Sequence, residues 1–203
     1  MRAVVFDLGG VLIDWDPRYV FRELMPGRED QMESFLRDVA NHEWNAQMDS
    51  GRPWAEAVED LAGKHPAERH LIEAYAARWA DMLGGPIPET VAVLAELREA
   101  GVPLYVLSNW SAETFPIALE RYDFLHWFDG RVISGEVGLI KPDPRIYRHL
   151  MDRFELQPGD FFYTDDHEPN VIAARDLGIR ASLFRGAQGL RAELLSLGFL
   201  GRP

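Results

Sequence analysis

Short apolar segments alternate with helical patterns along this 203-residue chain, and this alternation constrains the fold more than any other feature. Each segment is bounded by turn-forming residues, as buried strands are. The segments are AVVF (3–6), LYVL (104–107), FFYT (161–164) and ASLF (181–184), with RVIS (131–134) as a weaker fifth, and helical patterns cover 88–101, 144–154 and 169–178. Strands that alternate with helices form parallel sheets with helices on both faces. The sequence therefore predicts an α/β fold with a three-layer, Rossmann-like core.

Residues 17 to about 87 show a different pattern, because they are amphipathic and helical and contain no candidate strand. They lie between the first and second predicted strands. GGPIP (84–88) has the composition of a linker that leads back to the sheet. We therefore predict a core formed by residues 1–14 and 88–203, and an inserted small α-helical cap formed by residues 15–87.

Polar residues follow three of the predicted strands at the point where each strand ends. Asp7 follows the first strand, Ser108 and Asn109 follow the second, and Asp165 and Asp166 follow FFYT. In parallel sheets, ligands bind at the carboxyl ends of the strands. We therefore expect these side chains to converge on one edge of the sheet and to form the functional site.

The sequence predicts a bound cation, because three carboxylates meet at one edge of the sheet. They belong to Asp7, Asp165 and Asp166. At about 4 Å and an effective dielectric near 20, each like-charge pair is unfavourable by about 4 kcal/mol. A hard divalent cation relieves this repulsion, and Mg²⁺ suits a site that also accepts a phosphate group. A carboxylate can also act as a nucleophile and form an aspartyl-phosphate that water then cleaves.

The composition excludes several other functions. The net charge of −12 disfavours binding to nucleic acid or to an anionic membrane. The lack of cysteine excludes disulfides, thiol nucleophiles and Cys-ligated metal sites. The sequence contains neither a signal-peptide pattern nor a run of the roughly 20 apolar residues that a membrane span needs. The expectation is a cytoplasmic protein, and the sequence is compatible with either a monomer or a homodimer.

Four motifs in order carry a resemblance to a known family: FDLGG (6–10), LSN (107–109), IKPDPRIY (140–147) and YTDDHEPNVIAA (163–174). Through them the chain resembles the haloacid dehalogenase-like (HAD) hydrolase superfamily, in the branch with a small helical cap after the first strand. WNAQMDSGR (44–52) also resembles that branch. The DLG-type first motif is similar to that of bacterial sugar-1-phosphate phosphatases.

The resemblance implies a role for each residue around the predicted metal. Asp7 is implied to be the nucleophile, and Lys141 to neutralise the charge of the nucleophile and of the incoming phosphate. Asp165 and Asp166 are implied to hold Mg²⁺ together with Asp7 and the main-chain carbonyl of Gly9. Members of the superfamily are mostly phosphatases, and a smaller set removes halogen from 2-haloacids.

The resemblance also implies a substrate-binding set. Ser108 and Asn109 are implied to bind the transferring group, and the turn at Gly9 and Gly10 brings backbone amides close to it. Trp110 directly follows Asn109, so we place this aromatic residue near the substrate. The tryptophans of the predicted cap are assigned to its core, and His42 and Glu43 to its surface; these tryptophans are Trp15, Trp44, Trp54 and Trp79.

Gly9 departs from the pattern of the family's phosphatases, which usually carry a second aspartate two residues after the nucleophile. That aspartate protonates the leaving oxygen, a contribution typically worth about 10²–10⁴-fold in rate. Three explanations are open. The leaving group is good by itself, as in a sugar-1-phosphate or an acyl phosphate. Another residue supplies the proton, such as Asp14, Asp16, His42 or Glu43. Or the substrate has no oxygen leaving group, as in a 2-haloacid.

The resulting functional prediction is a Mg²⁺-dependent phosphatase of a small phosphorylated metabolite, with a sugar phosphate as one candidate. A metal-free 2-haloacid dehalogenase with Asp7 as nucleophile is the alternative that would explain Gly9. It would leave the acidic pair Asp165–Asp166 without a counter-charge, and this pair would repel a haloacid carboxylate. A catalytically weak protein that binds a phosphorylated metabolite is the alternative from another functional class.

Overall fold

The computed structural model describes residues 1–201, and within them five parallel strands form the central sheet. The strands of the chain are β1 (Ala3–Phe6), β2 (Ile13–Trp15), β3 (Leu83–Pro86), β4 (Leu104–Ser108), β5 (Gly130–Ile133), β6 (Phe161–Asp165) and β7 (Arg180–Leu183). The order in the sheet is β5-β4-β1-β6-β7, and all neighbours are parallel. The predicted α/β fold is confirmed, including the weaker fifth strand.

Helices flank this sheet on both faces and also form the segment between β2 and β3. They are α1 (Arg18–Leu24), α2 (Glu29–Asp38), α3 (His42–Asp49), α4 (Trp54–Lys64), α5 (Arg69–Ala77), α6 (Pro88–Glu99), α7 (Phe115–Arg121), α8 (Ser134–Val137), α9 (Pro144–Arg153), α10 (Glu168–Asp176) and α11 (Ala187–Ser196), with 3-10 turns at Pro66–Glu68, Trp79–Met82 and Asp123–Trp127. The helices predicted at 88–101, 144–154 and 169–178 are α6, α9 and α10, with ends that differ by up to two residues.

The central strand β1 shows why the core has three layers. All four of its residues are buried, and consecutive side chains point to opposite faces. Val4 and Phe6 belong to one hydrophobic cluster, whereas Ala3 and Val5 belong to a second cluster on the other face. Because both faces of the strand must be covered by apolar side chains, its sequence is a continuous apolar run rather than an alternating one.

The prediction that residues 17–87 contain no strand is wrong, because β3 pairs antiparallel with β2 to form a two-stranded ribbon. The sequence of β3 is LGGP, which has no apolar alternation and therefore no strand signal. At Gly84 a Cβ atom would lie 2.7 Å from the Tyr19 ring, so glycine permits the close approach. The segment predicted to be a linker is therefore a strand that leads back to the sheet.

Helices α1 to α5 lie between the two strands of the ribbon and pack around a group of aromatic side chains. The ring of Tyr75 lies 5.2 Å from that of Trp44, 5.9 Å from that of Trp54 and 5.8 Å from that of Phe21. The assignment of Trp44 and Trp54 to the core of this helical segment is confirmed. The same apolar cluster continues to Val4 of the sheet. Across residues 1–201, no helix has the length and apolarity needed to cross a lipid bilayer.

Candidate active site

The carboxyl ends of β1 and β6 bring together the acidic residues that the sequence predicted to converge. Asp7 directly follows β1, and Asp165 and Asp166 lie at the end of β6, the strand hydrogen-bonded to β1. One carboxylate oxygen from each of the three lies within 4.8 Å of the others. Asp7 is fixed at this edge because its N–H donates to the carbonyl of Thr164 (3.0 Å), which continues the ladder of the sheet.

Lys141 is buried beside these carboxylates. Its Nζ lies 2.9 Å from Asp7 Oδ1 and donates to Asp165 Oδ2 (2.7 Å) and to the carbonyl of Leu107 (2.9 Å). Burial alone would lower the pKa of Lys141, but the charges of Asp7 and Asp165 outweigh it and raise the pKa above its ordinary value. The ammonium group is therefore charged, and its three protons have three fixed partners.

Asn109 holds the Lys141 segment in place. Its Nδ2 donates to the carbonyl of Lys141 (3.0 Å), and the N–H of Lys141 donates to its Oδ1 (2.9 Å). Both polar ends of this side chain are thus engaged with the main chain of one residue. The predicted role of Asn109 in binding the transferring group stays a prediction, and Asn109 also lines the cavity described below. Ser108, the last residue of β4, is buried one position earlier.

The two oxygens of the Asp7 carboxylate have different surroundings. Oδ1 accepts from the N–H of Leu8 (2.8 Å) and pairs with Lys141. Oδ2 accepts no hydrogen bond from any residue within 1–201. Burial raises the pKa of Asp7 to about 7, against the attraction of Lys141. One oxygen is therefore anchored and the other is left free to react or to bind a cation.

Asp165 and Asp166 are neighbours in sequence, but the Asp165 carboxylate accepts several hydrogen bonds and the Asp166 carboxylate accepts none from another described residue. Asp165 accepts from Lys141, from the Tyr163 hydroxyl, from the N–H of His167 (2.8 Å) and from Asn170 Nδ2 (3.0 Å). Burial opposes its ionisation, but Lys141 holds the pKa of Asp165 below its ordinary value. Asp166 is exposed, and in the described part of the chain no other residue donates to its carboxylate. Desolvation and the charge of Asp165 raise the pKa of Asp166.

A cavity of about 480 Å³ opens above these charged groups. Asp7, Lys141 and Asp166 lie on its wall, and helices from the segment between β2 and β3 form the opposite side. Aromatic side chains contribute much of the wall, and these are Trp15, Tyr75, Trp79 and Trp110. Trp110, which the sequence predicted to lie near the substrate, lines this cavity with its ring 5.5 Å from that of Trp79. Trp79 is buried in the hydrophobic cluster and Trp15 packs against it, as the sequence predicted, and both rings also line this cavity.

A comparison with protein families shows that a model of the haloacid dehalogenase-like hydrolases matches residues 1–178. The chain belongs to this family. The resemblance seen in the four motifs is therefore confirmed, and the HAD-like hydrolase motifs coincide with the ends of β1, β4 and β6 and with the Lys141 segment.

Among the relatives of this HAD-like hydrolase, a phosphoserine phosphatase of Thermus thermophilus is 34% identical over 70% of the chain. A sesquiterpene phosphatase, astK, of Aspergillus oryzae is 26% identical over 88% of the chain. A drimenol cyclase, drtB, of Aspergillus calidoustus is 26% identical over 97% of the chain. The chain spans 56%, 87% and 36% of the lengths of these three proteins, respectively.

The fold of the HAD-like hydrolase is similar to that of a solved family member. This HAD family enzyme from Bacteroides thetaiotaomicron was crystallised in complex with magnesium and inorganic phosphate. The two share 23% sequence identity with a TM-score of 0.66, over 90% of this chain and 93% of the other. At this identity the similarity establishes the common fold.

Of the residues that the sequence offered as replacement proton donors for Gly9, one lines the cavity of the HAD-like hydrolase. This residue is His42, so its assignment to the surface alone is incomplete. Asp14 accepts from the Tyr19 hydroxyl, Asp16 accepts from the N–H of Arg18 (2.9 Å), and Glu43 is exposed. In the part of the chain that the structure describes, Asp14, Asp16 and Glu43 lie outside the cavity wall.

The sequence reasoning missed Asp49, the last residue of α3, which also lines the cavity. The spacing of α3 contained a signal for it. Residues at i, i+3, i+4 and i+7 share one face of a helix. His42, Asn45, Ala46 and Asp49 have this spacing, and all four line the cavity. The helical spacing from His42 therefore predicts that Asp49 lies on the same face.

Of the two glycines after Asp7, only Gly10 occupies a position that a larger residue could not take without strain. Gly10 has a positive φ of 68°, and a Cβ atom there would clash with the Asp166 carboxylate. Gly9 has no such constraint, because a Cβ atom there would have nothing within 4 Å. Gly10 therefore lets Asp166 lie against the backbone of the loop, whereas the structure has room for a side chain at position 9.

We expect Gly10→Ala to displace Asp166 and to weaken the binding of a divalent cation by about 10–100-fold, the usual effect of disturbing a ligand's support. Isothermal titration with Mg²⁺ measures this loss. Gly27→Ala is the matched control, because Gly27 has a φ of 71° and open space around its Cβ position. Both variants should lose about 1–2 kcal/mol of stability from the left-handed backbone. Equal Mg²⁺ affinity in the two variants would contradict the placement of Asp166.

Proposed function

We propose that the protein is a phosphatase that hydrolyses small phosphate monoesters through an aspartyl-phosphate intermediate on Asp7. The observation that carries this proposal is the asymmetric carboxylate of Asp7, with Oδ1 anchored by Lys141 and Oδ2 free at the base of a cavity. A nucleophile needs such a fixed and unpaired atom. The phosphatases among the relatives support the same reaction class.

The residues of the site fit a Mg²⁺ ion. Three carboxylates face one ammonium group, so the cluster lacks positive charge, and its donors are the hard oxygens that Mg²⁺ prefers. We assign the ion to Asp7, Asp166 and the main-chain carbonyl of Gly9, because Asp166 accepts no hydrogen bond from another described residue and a carboxylate oxygen of Asp7 lies within 4.8 Å of one of its oxygens. When bound, the ion polarises the phosphoryl oxygens and offsets their charge. Both oxygens of the Asp165 carboxylate already accept hydrogen bonds, so we assign Asp165 mainly to orienting Lys141. The magnesium bound by the Bacteroides enzyme of the same fold supports the choice of Mg²⁺ as the ion.

The reaction follows from the positions of the chain's own groups. Asp7 Oδ2 attacks phosphorus, and the bond from phosphorus to the ester oxygen breaks. Lys141 keeps its positive charge beside Asp7 and stabilises the negative charge of the transferring group. Water then attacks the aspartyl-phosphate, which releases inorganic phosphate and restores Asp7. Ser108 and the turn at Gly9 and Gly10 are the proposed contacts of the phosphoryl group, and Asn109 acts through Lys141.

We further propose that residues 15–87 act as a cap that excludes water from the cavity and selects the leaving alcohol. Helices α1, α3 and α5 supply the wall opposite Asp7, so the alcohol portion of the substrate lies against them. That wall combines aromatic rings with Arg18, Asn45 and Asp49. It suits a small alcohol that has an apolar portion and one or two polar groups, and a sugar phosphate remains a candidate.

The dehalogenase alternative fits this site less well. A 2-haloacid carries a carboxylate that would approach the free carboxylate of Asp166 without a compensating cation. A repulsion of about 4 kcal/mol at about 4 Å would oppose its binding. The site therefore favours a phosphorylated substrate together with a divalent cation.

A screen of phosphate monoesters with and without Mg²⁺ tests the proposal. We expect Mg²⁺-dependent phosphate release from some of these esters, sugar-1-phosphates included, and EDTA should abolish the turnover because the carboxylate cluster then lacks its cation. Chloride release from 2-chloropropionate, measured in EDTA, should stay at background. Full phosphatase activity in chelator would reject the metal assignment, and metal-independent chloride release would establish the dehalogenase. Binding of phosphate esters without any turnover would establish the binding protein.

A further inference from the structure

The loop after β1 supplies no acid to the leaving oxygen, because Gly9 occupies the position where the family's phosphatases usually carry one. We propose that Asp49, at the end of α3, donates this proton from the opposite wall of the cavity. The inference rests on the proposed phosphatase function and adds the residue that completes its chemistry.

The position of Asp49 is fixed by contacts between the helical segment and the sheet. The Ser134 hydroxyl donates to the main-chain carbonyl of Asp49 and accepts from the N–H of Trp110 (2.9 Å). Asn45 Nδ2 donates to Asp49 Oδ2 (2.9 Å) and orients the carboxyl group. Asp49 is thereby tied to the loop that follows β4, which also carries the cavity residues Asn109 and Trp110.

The turn that follows Asp49 is attached to the same loop. The N–H of Trp54 donates to Glu113 Oε1 (3.0 Å), and Trp54 Nε1 donates to Ser111 Oγ (3.2 Å). These contacts join the start of α4 to the segment between β4 and α7. These contacts therefore fix the position of Asp49 relative to the carboxyl end of β4. A proton donor needs such a fixed position.

The surroundings of Asp49 leave about half of its carboxyl groups protonated at neutral pH. Burial raises its pKa to about 7, although the Ser111 amide, Asn45 and the charge of Lys141 favour the ionised form. Tyr75 of α5 faces the same cavity, and burial raises the pKa of Tyr75 so that it stays neutral. Arg18 of α1 is paired with Glu33 and Asp16. A pKa near the working pH is what general acid catalysis requires.

The proposed step balances in protons and electrons. When Asp7 Oδ2 attacks phosphorus, the electron pair of the breaking bond moves to the leaving oxygen. The proton of the Asp49 carboxyl group moves to the same oxygen, so a neutral alcohol departs and Asp49 becomes a carboxylate. In the second half of the reaction Asp49 accepts a proton from the attacking water, which restores the acid.

His42 is the competing donor on this helix face. It is exposed at the cavity and stacks against His167, with ring centroids 6.3 Å apart. Asp49 lies two helical turns further along, half-buried and hydrogen-bonded. Of the two side chains, Asp49 is the less exposed and the one oriented by a hydrogen bond, so we assign the proton donor to Asp49.

The test compares Asp49→Asn with wild type on esters that differ in leaving group. An alkyl phosphate needs the proton, so kcat/KM should fall by about 10²–10⁴-fold in the variant. On para-nitrophenyl phosphate, whose leaving group is stable as an anion, the fall should be less than about tenfold. Glu43→Gln is the matched control on the same helix, and it should match wild type on both esters. An equal loss on both esters in Asp49→Asn would overturn the assignment.

The pH profile and a rescue variant give independent readouts. Because Asp49 must be protonated to act, wild-type kcat/KM for the alkyl phosphate should fall as the pH rises above about 7. This decrease should disappear in Asp49→Asn, and its persistence would overturn the assignment. Adding Gly9→Asp to Asp49→Asn should restore turnover of the alkyl phosphate selectively, because position 9 has open space. If wild type hydrolyses no phosphate ester, the proposed function itself fails. That result is distinct from an equal loss of kcat/KM on both esters in Asp49→Asn, which would overturn only the role of Asp49.

Discussion

Asp7→Asn is expected to lower the turnover of phosphate monoesters by at least about 10⁴-fold, as the removal of a covalent nucleophile does in other enzymes. The amide has nearly the shape of the carboxylate, and its oxygen can still accept from the N–H of Leu8. It cannot form an aspartyl-phosphate, because a neutral amide oxygen is a poor nucleophile. Steady-state phosphate release measures the loss, and trapping with acid should find phosphorylated protein in wild type alone.

Asp14→Asn is the matched control for this experiment. Asp14 lies on β2, follows the same loop, and is bonded by the Tyr19 hydroxyl outside the cavity. Its replacement should leave turnover within about a factor of two, as expected for a position away from the chemistry. Substantial activity in Asp7→Asn, with Asp14→Asn unchanged, would mean that another group attacks phosphorus.

Lys141→Met is expected to reduce both activity and stability. The variant loses the ammonium group that lies within 3 Å of both Asp7 and Asp165, and leaves two buried carboxylates without a counter-charge. Removing one partner of a buried ion pair typically lowers the free energy of unfolding by about 3–5 kcal/mol. Urea unfolding in EDTA measures this loss. Adding Mg²⁺ should restore more stability to the variant than to wild type, because the ion supplies the missing charge.

The sequence supplies a control in its other lysine, Lys64, which is exposed and pairs with Asp60. Lys64→Met should change the free energy of unfolding by less than about 0.5 kcal/mol.

The stability that the Lys141–Asp165 pair contributes depends on pH. Lys141 lowers the pKa of Asp165, so this pair stabilises the fold at neutral pH and loses that contribution as the pH falls below the ordinary value near 3.8. The deficit of Lys141→Met should therefore shrink in acid. A deficit that is independent of pH would contradict the pairing.

The sheet and the acidic cluster could be predicted from the sequence because both depend on local patterns. A fully buried strand such as β1 must be apolar throughout, and Asp7 and Asp165 stand where such runs end. The ribbon of β2 and β3 could not be predicted in the same way. Its second strand is held by main-chain pairing across Gly84 and Gly85, and a pair of glycines has no periodic signal.

The wall of the cavity was predicted only in part, because a residue's exposure there depends on contacts between distant segments. Trp79 is buried, and its sequence neighbours do not show that one side of the ring faces a cavity. The surroundings of Asp49 come from distant segments, because its main-chain carbonyl accepts from Ser134 of α8 and its carboxyl group faces the Ser111 amide after β4. The detailed hydrogen bonds of Asn109 and Asp165 likewise depend on the folded positions of Lys141 and Tyr163.

The two-stranded ribbon has a consequence for how this enzyme could be re-engineered. Because β2 and β3 are antiparallel neighbours, the helical segment leaves and returns through points about one strand spacing, roughly 4.8 Å, apart. A foreign helical hairpin could be grafted between them without cutting a strand of the central sheet. Asp7 and Lys141 would be retained, whereas Asp49 would be exchanged together with the cavity wall that we propose to bind the alcohol. If the proposals above hold, a single transplant would change both the esters that are accepted and the leaving groups that can depart, without altering the proposed nucleophile.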